Sequence, residues 1–314
     1  MLQKKGIALL ITMIFIIAIT VAIGVGLKQI NKASQSVESE AFTLETSMIL
    51  DDILRILQTS KELDSILKSD DEDIKREAFY IFLSQTAFIP FESSGIKMSL
   101  ELQSARSKFN PNTLFDVNST MNSNAEHFVR VEALIRHLNL YEIDAEYVNI
   151  IVDMISGVKE DMTYNTNIFN ENPHLFRDYI VSSKHLEEIN NFYQQTYRNN
   201  KLKNVDFKNL FYYSKDKEHY IIDLNYATIQ TWQLLLGCDE LRAEQLNEES
   251  GAYSKLDDLD LNDDEKLSLA LFKTGYFQPI IEVKVEIMKD ELETQIQFEY
   301  NMETKKGSNF VYEI

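Results

Sequence analysis

The chain has 314 residues, of which 50 are acidic and 31 are basic, and its formal net charge is −19 at pH 7. So acidic a surface repels phosphate backbones and anionic lipids, which argues against nucleic-acid binding as a main activity. Hydrophobic residues make up 44% of the chain and aromatic residues 11%, enough for a sizeable core, so the composition excludes a disordered protein. Because only nine glycines and four prolines occur and no linker-like segment interrupts the chain, any subdomains are expected to pack together.

An uncharged segment of 21 residues, 7–27, follows two lysines and a glycine. As a helix rising about 1.5 Å per residue it spans roughly 31 Å, close to the thickness of a bilayer's hydrocarbon core. It is longer than the roughly 7–15 apolar residues of a secretory signal, and the sequence that follows it has no turn residue and no break in helical character. Lys4 and Lys5 favour a cytoplasmic N-terminus, so the segment predicts a single-pass anchor with the rest of the chain across the membrane.

The helix of the anchor is predicted to continue, for a total of roughly 50 residues or more, because no helix breaker lies between residues 27 and 57. Its apolar positions recur every three or four residues and then broaden into a stripe that we expect to pack on a soluble domain: Val37, Ala41, Leu44, Met48, Ile49, Leu50, Ile53, Leu54 and Leu57. A second helix is predicted to open on Ser69 and the acidic residues after it, which suit a positive helix N-terminus.

Strands are predicted at two distant places. After a turn at residues 93–95, apolar residues alternate with polar ones over 96–102, and the same period recurs at 281–287. The last two segments, 294–302 and 309–314, complete an antiparallel meander with one buried face. Between these blocks the apolar residues fall at helical spacing, which indicates an α+β fold with a large all-α insertion in a small antiparallel sheet.

The KKG sequence that directly precedes an apolar residue resembles the cleavage site of type IV prepilins and pseudopilins. This resemblance implies cleavage between Gly6 and Ile7, so that residues 1–6 are the leader and 7–27 the transmembrane half of the N-terminal helix. Most pilins carry glutamate as the fifth mature residue, where this chain has Ile11. An ionised carboxylate in lipid is costly unless paired. Because it lacks this glutamate, the chain resembles the K-type minor pseudopilin of type II secretion systems, a subunit placed at the filament tip.

Several short sequence segments of the central block are similar to segments of K-type pseudopilins and occur in the same order. Asn110 and Asn112 occupy the Asn-x-Asn positions that open the insertion in that family. Asp153 matches an aspartate at a helix end, although the family's following tryptophan is Met154 here. The phrase Ile-Asn-Val-Asn-Thr-Ala is matched by residues 222–227, chiefly at these positions: Ile222, Asp223, Asn225 and Ala227.

The resemblance covers nearly the whole chain and implies a pilin-like helix and sheet in 28–109 and 276–314, with an inserted α-helical domain in 110–275. It implies a non-enzymatic subunit that starts and caps a periplasmic pseudopilus and supports protein secretion. The partners implied are other minor pseudopilins, the prepilin peptidase and the inner-membrane assembly platform. Two alternatives stay open: a tip pilin of a competence or type IV pilus machine that handles DNA, and an unrelated single-span periplasmic binding protein.

Residues 221–270 also resemble a helix-hairpin-helix module, which in other proteins binds DNA phosphates through backbone amides. The hairpin has one glycine, Gly237, and the module contains 12 acidic and three basic residues, a net charge of −9. Because a phosphate-binding surface needs the opposite sign, we expect a packing role and no nucleic-acid partner.

Patterns for catalysis or metal binding are sparse. No Gly-rich phosphate loop or Cys–His pairing occurs, and the histidines lie at no metal-ligand spacing: His127, His137, His174, His185 and His219. The acidic residues 257–265 lack a calcium-loop pattern and favour a solvated helix start, so no cofactor is expected, although some family members bind calcium. Asn118 fits an acid-x-Asn-x-Thr glycosylation pattern but is not expected to be modified. Cys238 has no disulfide partner and is expected to act as a small buried hydrophobe.

Overall fold

The computed structural model describes residues 40–93, 96–114, 124–159 and 163–313. The predicted leader and anchor, with Gly6, Ile7 and Ile11, lie outside these residues, and so does the glycosylation pattern around Asn118. Across the described ranges, no helix combines the length and the apolar character needed to cross a membrane.

The chain first forms three helices: α1 over residues 40–59, α2 (Lys61–Lys68) and α3 (Glu72–Thr86). The prediction that the second helix opens on Ser69 is wrong, because the hydroxyl of Ser69 accepts a hydrogen bond from the backbone N–H of Asp71 and forms a turn there. Asp71 is the N-cap of α3, since its carboxylate accepts from the backbone N–H of Asp73.

Five strands form one antiparallel sheet in the order β1-β2-β5-β6-β7. Their bounds are β1 (Ile89–Ser93), β2 (Ile96–Ser104), β5 (Ile280–Lys289), β6 (Leu292–Asn301) and β7 (Lys306–Glu313). The sheet confirms the predicted α+β class and the C-terminal meander. Sequence reasoning missed β1, because Pro90 argues against a strand and the segment does not alternate; proline is tolerated there since β1 lies at the edge of the sheet.

The 175 residues between β2 and β5, 105–279, form a region that we call the insertion. Its helices are α4 (Asn124–Asn139), α5 (Ala145–Ile155), α6 (Ile168–Glu171), α7 (Ser183–Tyr197), α8 (Phe207–Leu210), α9 (Ile229–Leu236), α10 (Glu240–Glu248) and α11 (Asp263–Leu269). Short 3₁₀ segments join them at Pro111–Leu114, Lys201–Asn204 and Leu256–Leu259. The insertion is not all-α as predicted, because β3 (Ile222–Asp223) pairs in parallel with β4 (Thr274–Gly275). Two-residue strands are too short to produce an alternating pattern.

The hydrophobic core consists of two clusters. The first lies between the sheet and α1–α3, and alternating residues of β5 and β6 form most of its floor. The second fills the insertion and surrounds Trp232, which is fully buried. Two aromatic residues of the insertion pack on the first cluster: the rings of Tyr226 and Phe277 lie edge-on against that of Phe79 in α3, with centroids 5.7 and 5.8 Å away. We refer to α1–α3 and the five-stranded sheet together as the sheet half.

Candidate interaction surface

Helix α1 carries apolar residues on two opposite sides. Phe42 and Ile53 belong to the side that is buried against the sheet. Leu44 and Met48 lie on the other side and Ile56 lies between the two sides, and their exposed fractions are 64%, 61% and 66%. The prediction that Leu44 and Met48 pack on the soluble domain is therefore wrong, because the buried positions follow Phe42 at helical spacing. Large apolar side chains exposed along one side of a helix indicate a surface for another protein segment.

We call Leu44, Met48 and Ile56 the outer stripe. Its charged neighbours form ion pairs with one another: Arg55 lies 2.9 Å from the carboxylate of Asp51 and 3.5 Å from that of Asp52. These side chains are about two-thirds exposed, and such surface ion pairs contribute only about 0–1 kcal/mol. They therefore resemble the polar rim of an interface more than a stabilising device.

Asn110 and Asn112 are fully buried where the insertion begins. The side-chain amides of both donate to the backbone carbonyl of Ser214, at 2.9 and 3.1 Å. Asn112 also donates to the carbonyl of Ile180 at 3.0 Å and accepts from its N–H at 2.7 Å. The two residues therefore tie the start of the insertion to segments far along the chain, and they bind its own backbone rather than a ligand.

Asp153 lies fully buried near the C-terminus of α5. One carboxylate oxygen accepts from the backbone N–H and side-chain amide of Asn165, at 2.9 and 3.0 Å. The other accepts from the backbone N–H and hydroxyl of Thr166, at 2.7 and 2.8 Å. Four donors compensate for the burial of the carboxylate, so Asp153 anchors the following loop to α5.

The segment 222–227 lies where the insertion returns toward the sheet. Ile222 and Ala227 belong to the core of the insertion. The amide of Asn225 donates to the carbonyls of Tyr253 at 2.9 Å and Tyr276 at 2.7 Å. Asn225 therefore joins three segments of the chain through backbone groups, which fits a role in packing.

Asp223 lies next to Asn225 and is also fully buried. Its carboxylate accepts from the backbone N–H groups of Asn225 at 3.1 Å and Gln278 at 2.8 Å. Burial raises the pKa of Asp223 to about 7, and the two N–H donors oppose that rise. Asp223 and Asn225 thus act together at the return to the sheet, whereas Asp153 lies in a separate network.

A buried ion pair connects the insertion to the sheet. The guanidinium of Arg106 binds the carboxylate of Glu299 through two hydrogen bonds of 3.0 and 2.9 Å, and it lies 4.5 Å from the ring centre of Tyr220. The amide of Asn309 in β7 donates to the same carboxylate at 2.8 Å and to the hydroxyl of Ser214 at 2.7 Å. Sequence analysis missed this cluster because arginine and glutamate are expected at the surface. The one feature of the sequence that could have indicated this cluster is a pair of cationic residues, at 106 and 108, directly after β2.

Glu282 in β5 extends this cluster and is almost wholly buried. The side-chain amides of Gln103 and Gln297 donate to its carboxylate, and the ammonium of Lys108 lies 4.0 Å away. Burial raises the pKa of Glu282, while Lys108 opposes the rise. The polar groups around Arg106 and Glu282 therefore hold the two parts of the fold in one arrangement.

The helix-hairpin-helix resemblance corresponds to α9 and α10. Gly237 ends α9 in the left-handed conformation, and a Cβ there would lie 2.7 Å from the guanidinium carbon of Arg136 in α4, so Arg136 covers the hairpin. The acids nearby serve as caps: Asp239 caps α10, and Glu265 forms a capping box with Asn262 at the start of α11. This geometry supports the packing role rather than phosphate binding.

The buried histidines and Cys238 do not form a common site. Burial, followed by the charge of Arg136, lowers the pKa of His137 to about 4, and burial lowers that of His185. Burial raises the pKa of the Cys238 thiol to about 11, which disfavours the reactive thiolate. In the described ranges, no group of three or more His, Cys, Asp or Glu side chains is placed to hold a metal ion.

The chain was compared with family models, with curated proteins and with solved structures. No family model matches the chain, and no curated protein matches it. Among solved structures, the chain is similar to a chain of the GspK-GspI-GspJ complex from the Type 2 Secretion System of enterotoxigenic Escherichia coli. The alignment covers 88% of this chain and 96% of that chain, with 14% sequence identity and a TM-score of 0.49.

Proposed function

We propose that the chain is a K-type minor pseudopilin, a structural subunit of the pseudopilus of a type II secretion system. The observation that carries the proposal is α1 with its two apolar sides, one covered by the sheet and the other bare. A subunit whose N-terminal helix packs both on its own domain and on neighbouring helices needs this distribution of apolar residues. The KKG sequence and the apolar segment 7–27 that precede this helix support the same assignment.

The subunit starts and caps the filament in this proposal. An insertion of 175 residues between β2 and β5 is hard to repeat along a closely packed shaft, but it fits at an end. Ile11, in the place of the usual glutamate, supports the same position, because the first subunit placed has no subunit above it with which to pair a carboxylate. Its partners are then other minor pseudopilins and the inner-membrane assembly platform.

The chain acts without catalysis or a cofactor in this proposal, and its working contacts are apolar and non-covalent. Anchored in the inner membrane by residues 7–27, it exposes the sheet half and the insertion to the periplasm. Nucleic acid is not among its partners, because the helix-hairpin-helix-like part has a net charge of −9 and Arg136 covers its hairpin.

Processing of the leader tests the proposal most directly. Mass spectrometry of the membrane-extracted native protein should find a mature chain that begins at Ile7. Gly6→Ala should block this cleavage, because it adds a side chain at the scissile position, whereas Gly24→Ala within the apolar segment should be cleaved normally. A native protein that begins at Met1, or beyond residue 20, would contradict the proposal.

The tip position needs a separate measurement. Quantitative mass spectrometry of sheared filaments should find the subunit at a small fraction of the major subunit, and its deletion should abolish filament initiation. An amount close to that of the major subunit, or immunogold labels at regular intervals along the shaft, would contradict the capping role even if cleavage occurs at Ile7.

A further inference from the structure

The five-stranded sheet extends one strand beyond the helices that cover it. In the antiparallel register, Ile89 of β1 lies opposite Leu100 of β2, and Phe91 lies opposite Met98. Directly opposite residues share a face, and Leu100 and Met98 pack against the core beneath α1–α3. Ile89 and Phe91 therefore belong to the face that the helices cover, yet their exposed fractions are 40% and 56%.

Contacts on the two flanks of α1 show why β1 stays uncovered. On one flank, the carboxylate of Glu45 binds the ammonium of Lys289, at the end of β5, with a distance of 2.6 Å. On the other flank, the amide of Gln58 donates to the carbonyl of Lys305, in the turn between β6 and β7, at 3.2 Å. Helix α1 thus runs over β5 and β6 toward β7 and lies away from the β1 edge.

We name the uncovered edge the shelf; it consists of Ile89 and Phe91 together with Phe88, an exposed residue directly before the strand. We propose that the shelf is a docking site for an amphipathic helix of a partner protein, with its apolar side on the shelf and lysine or arginine residues along its flanks. This inference does not depend on the proposed function, because the shelf belongs to the sheet and is distinct from the outer stripe.

A helix fits the shelf better than an added strand. Strand β1 has five residues, and Pro90 lacks the N–H group that a neighbouring strand would need at a free edge. Proline on an edge strand is a known means of preventing strand addition. The exposed side chains remain available, so recognition through an apolar helix face replaces recognition through backbone hydrogen bonds.

The charge of the sheet half determines the flanks of the partner helix. Residues 40–104 and 280–313 together contain 21 acidic and 10 basic residues, a net charge of −11. A second copy of the chain would bring the same charge to the contact and be repelled, whereas a helix with basic flanks is attracted. The charge thus selects a cationic partner of different sequence.

Photocrosslinking in the native membrane tests the shelf with the full chain. The photoreactive amino acid p-benzoylphenylalanine replaces Phe91, and in a matched control it replaces Phe176, which is 48% exposed on the insertion. We expect crosslinks from position 91 and not from 176, and the crosslinked peptide should have apolar residues every three or four positions with lysine or arginine between them. A peptide of this chain, a peptide without that pattern, or no crosslink at 91 would overturn the inference.

Two further variants keep the test independent of folding. Phe88→Ser with Ile89→Ser should reduce the crosslink yield at position 91 at least tenfold, whereas Ile74→Ser, at an exposed position of α3, should leave it unchanged. The far-UV circular dichroism spectrum, which includes the strands of the sheet half, and the fluorescence of Trp232 should stay native in all of them. A shelf variant that is folded by this criterion but still crosslinks fully would overturn the inference. A photoreactive residue at Leu44 tests the outer stripe separately, so a crosslink from 44 without one from 91 would overturn the shelf and leave the proposed function standing.

Discussion

The sheet half and the insertion are held together by different means. In the sheet half, a continuous backbone ladder sets the positions of the strands, and the core beneath the helices is built from aliphatic and aromatic side chains. In the insertion, short helices alternate with turns, and buried amides and carboxylates bind the backbone of those turns. A region without a continuous ladder thus satisfies the hydrogen bonds of its buried backbone groups with side chains. Substitutions of buried polar residues should therefore lower the stability of the insertion, whereas substitutions in the outer stripe should change stability far less.

Breaking the link between the two regions should have the largest effect. Arg106→Ala leaves the carboxylate of Glu299 buried without its cation, so the free energy of unfolding should fall by roughly 3–5 kcal/mol. Denaturant unfolding of the detergent-solubilised chain, followed by the fluorescence of Trp232 and by circular dichroism, measures the change.

The matched control for Arg106→Ala is Arg55→Ala, which removes an exposed ion pair with the same 2.9 Å separation. It should lower the free energy of unfolding by less than about 1 kcal/mol. If the two substitutions lower the free energy of unfolding equally, the buried ion pair does not hold the sheet half and the insertion together.

Within the insertion, Asp153→Ala should lower the free energy of unfolding by about 3–4 kcal/mol, because it removes four hydrogen bonds between the buried carboxylate and the loop residues Asn165 and Thr166. The exposed Asp70 of the sheet half provides the control, and Asp70→Ala should change stability by less than about 0.5 kcal/mol. Trp232 is the only tryptophan, so its fluorescence reports on the insertion directly. Equal costs for the two substitutions would contradict the role of Asp153 as an anchor.

The pH dependence of stability should distinguish Asp223 from ordinary acids. Its pKa is raised from 3.8 to about 7 in the folded chain, so the unfolded chain ionises first as the pH rises from about 4 to 7. The stability associated with Asp223 is therefore highest at low pH, falls across this window and then levels off. Compared with Asp223→Asn, which cannot ionise, the wild-type chain should lose roughly 2–4 kcal/mol between pH 4 and 7. A difference between the two that is independent of pH would show that burial does not raise this pKa.

The smallest effect is expected on the outer stripe. Met48→Ser changes a side chain that is 61% exposed, so the free energy of unfolding should change by less than about 0.5 kcal/mol. Its effect should instead appear in assembly, as a lower fraction of the subunit recovered with sheared filaments. In contrast, Ile53→Ser on the buried side should destabilise the sheet half. If Met48→Ser unfolds the chain, the division of α1 into an inner and an outer side is wrong.

Residue patterns predicted some of these features correctly and others not. The period-two pattern of 281–287 predicted β5 because apolar residues alternate there with charged ones, although the face with the charged residues is also partly covered and Glu282 is buried. The same reasoning assigned Leu44 and Met48 to the packed side of α1, since an apolar position gives no information on whether its own domain or another protein covers it. It missed β1, where proline at a sheet edge breaks the usual pattern.

The α+β class, the acidic surface and most of the long helices and strands could be predicted from residue patterns, because these features depend on charge and on the period of apolar residues, which are local. In contrast, the residues that act as anchors are identified by their tertiary contacts. Arg106 meets a glutamate 193 positions later, and Asn112 binds Ile180 after 68 positions. Such contacts depend on how the insertion folds back toward the sheet. A local period of apolar residues cannot predict contacts between residues so far apart in the chain.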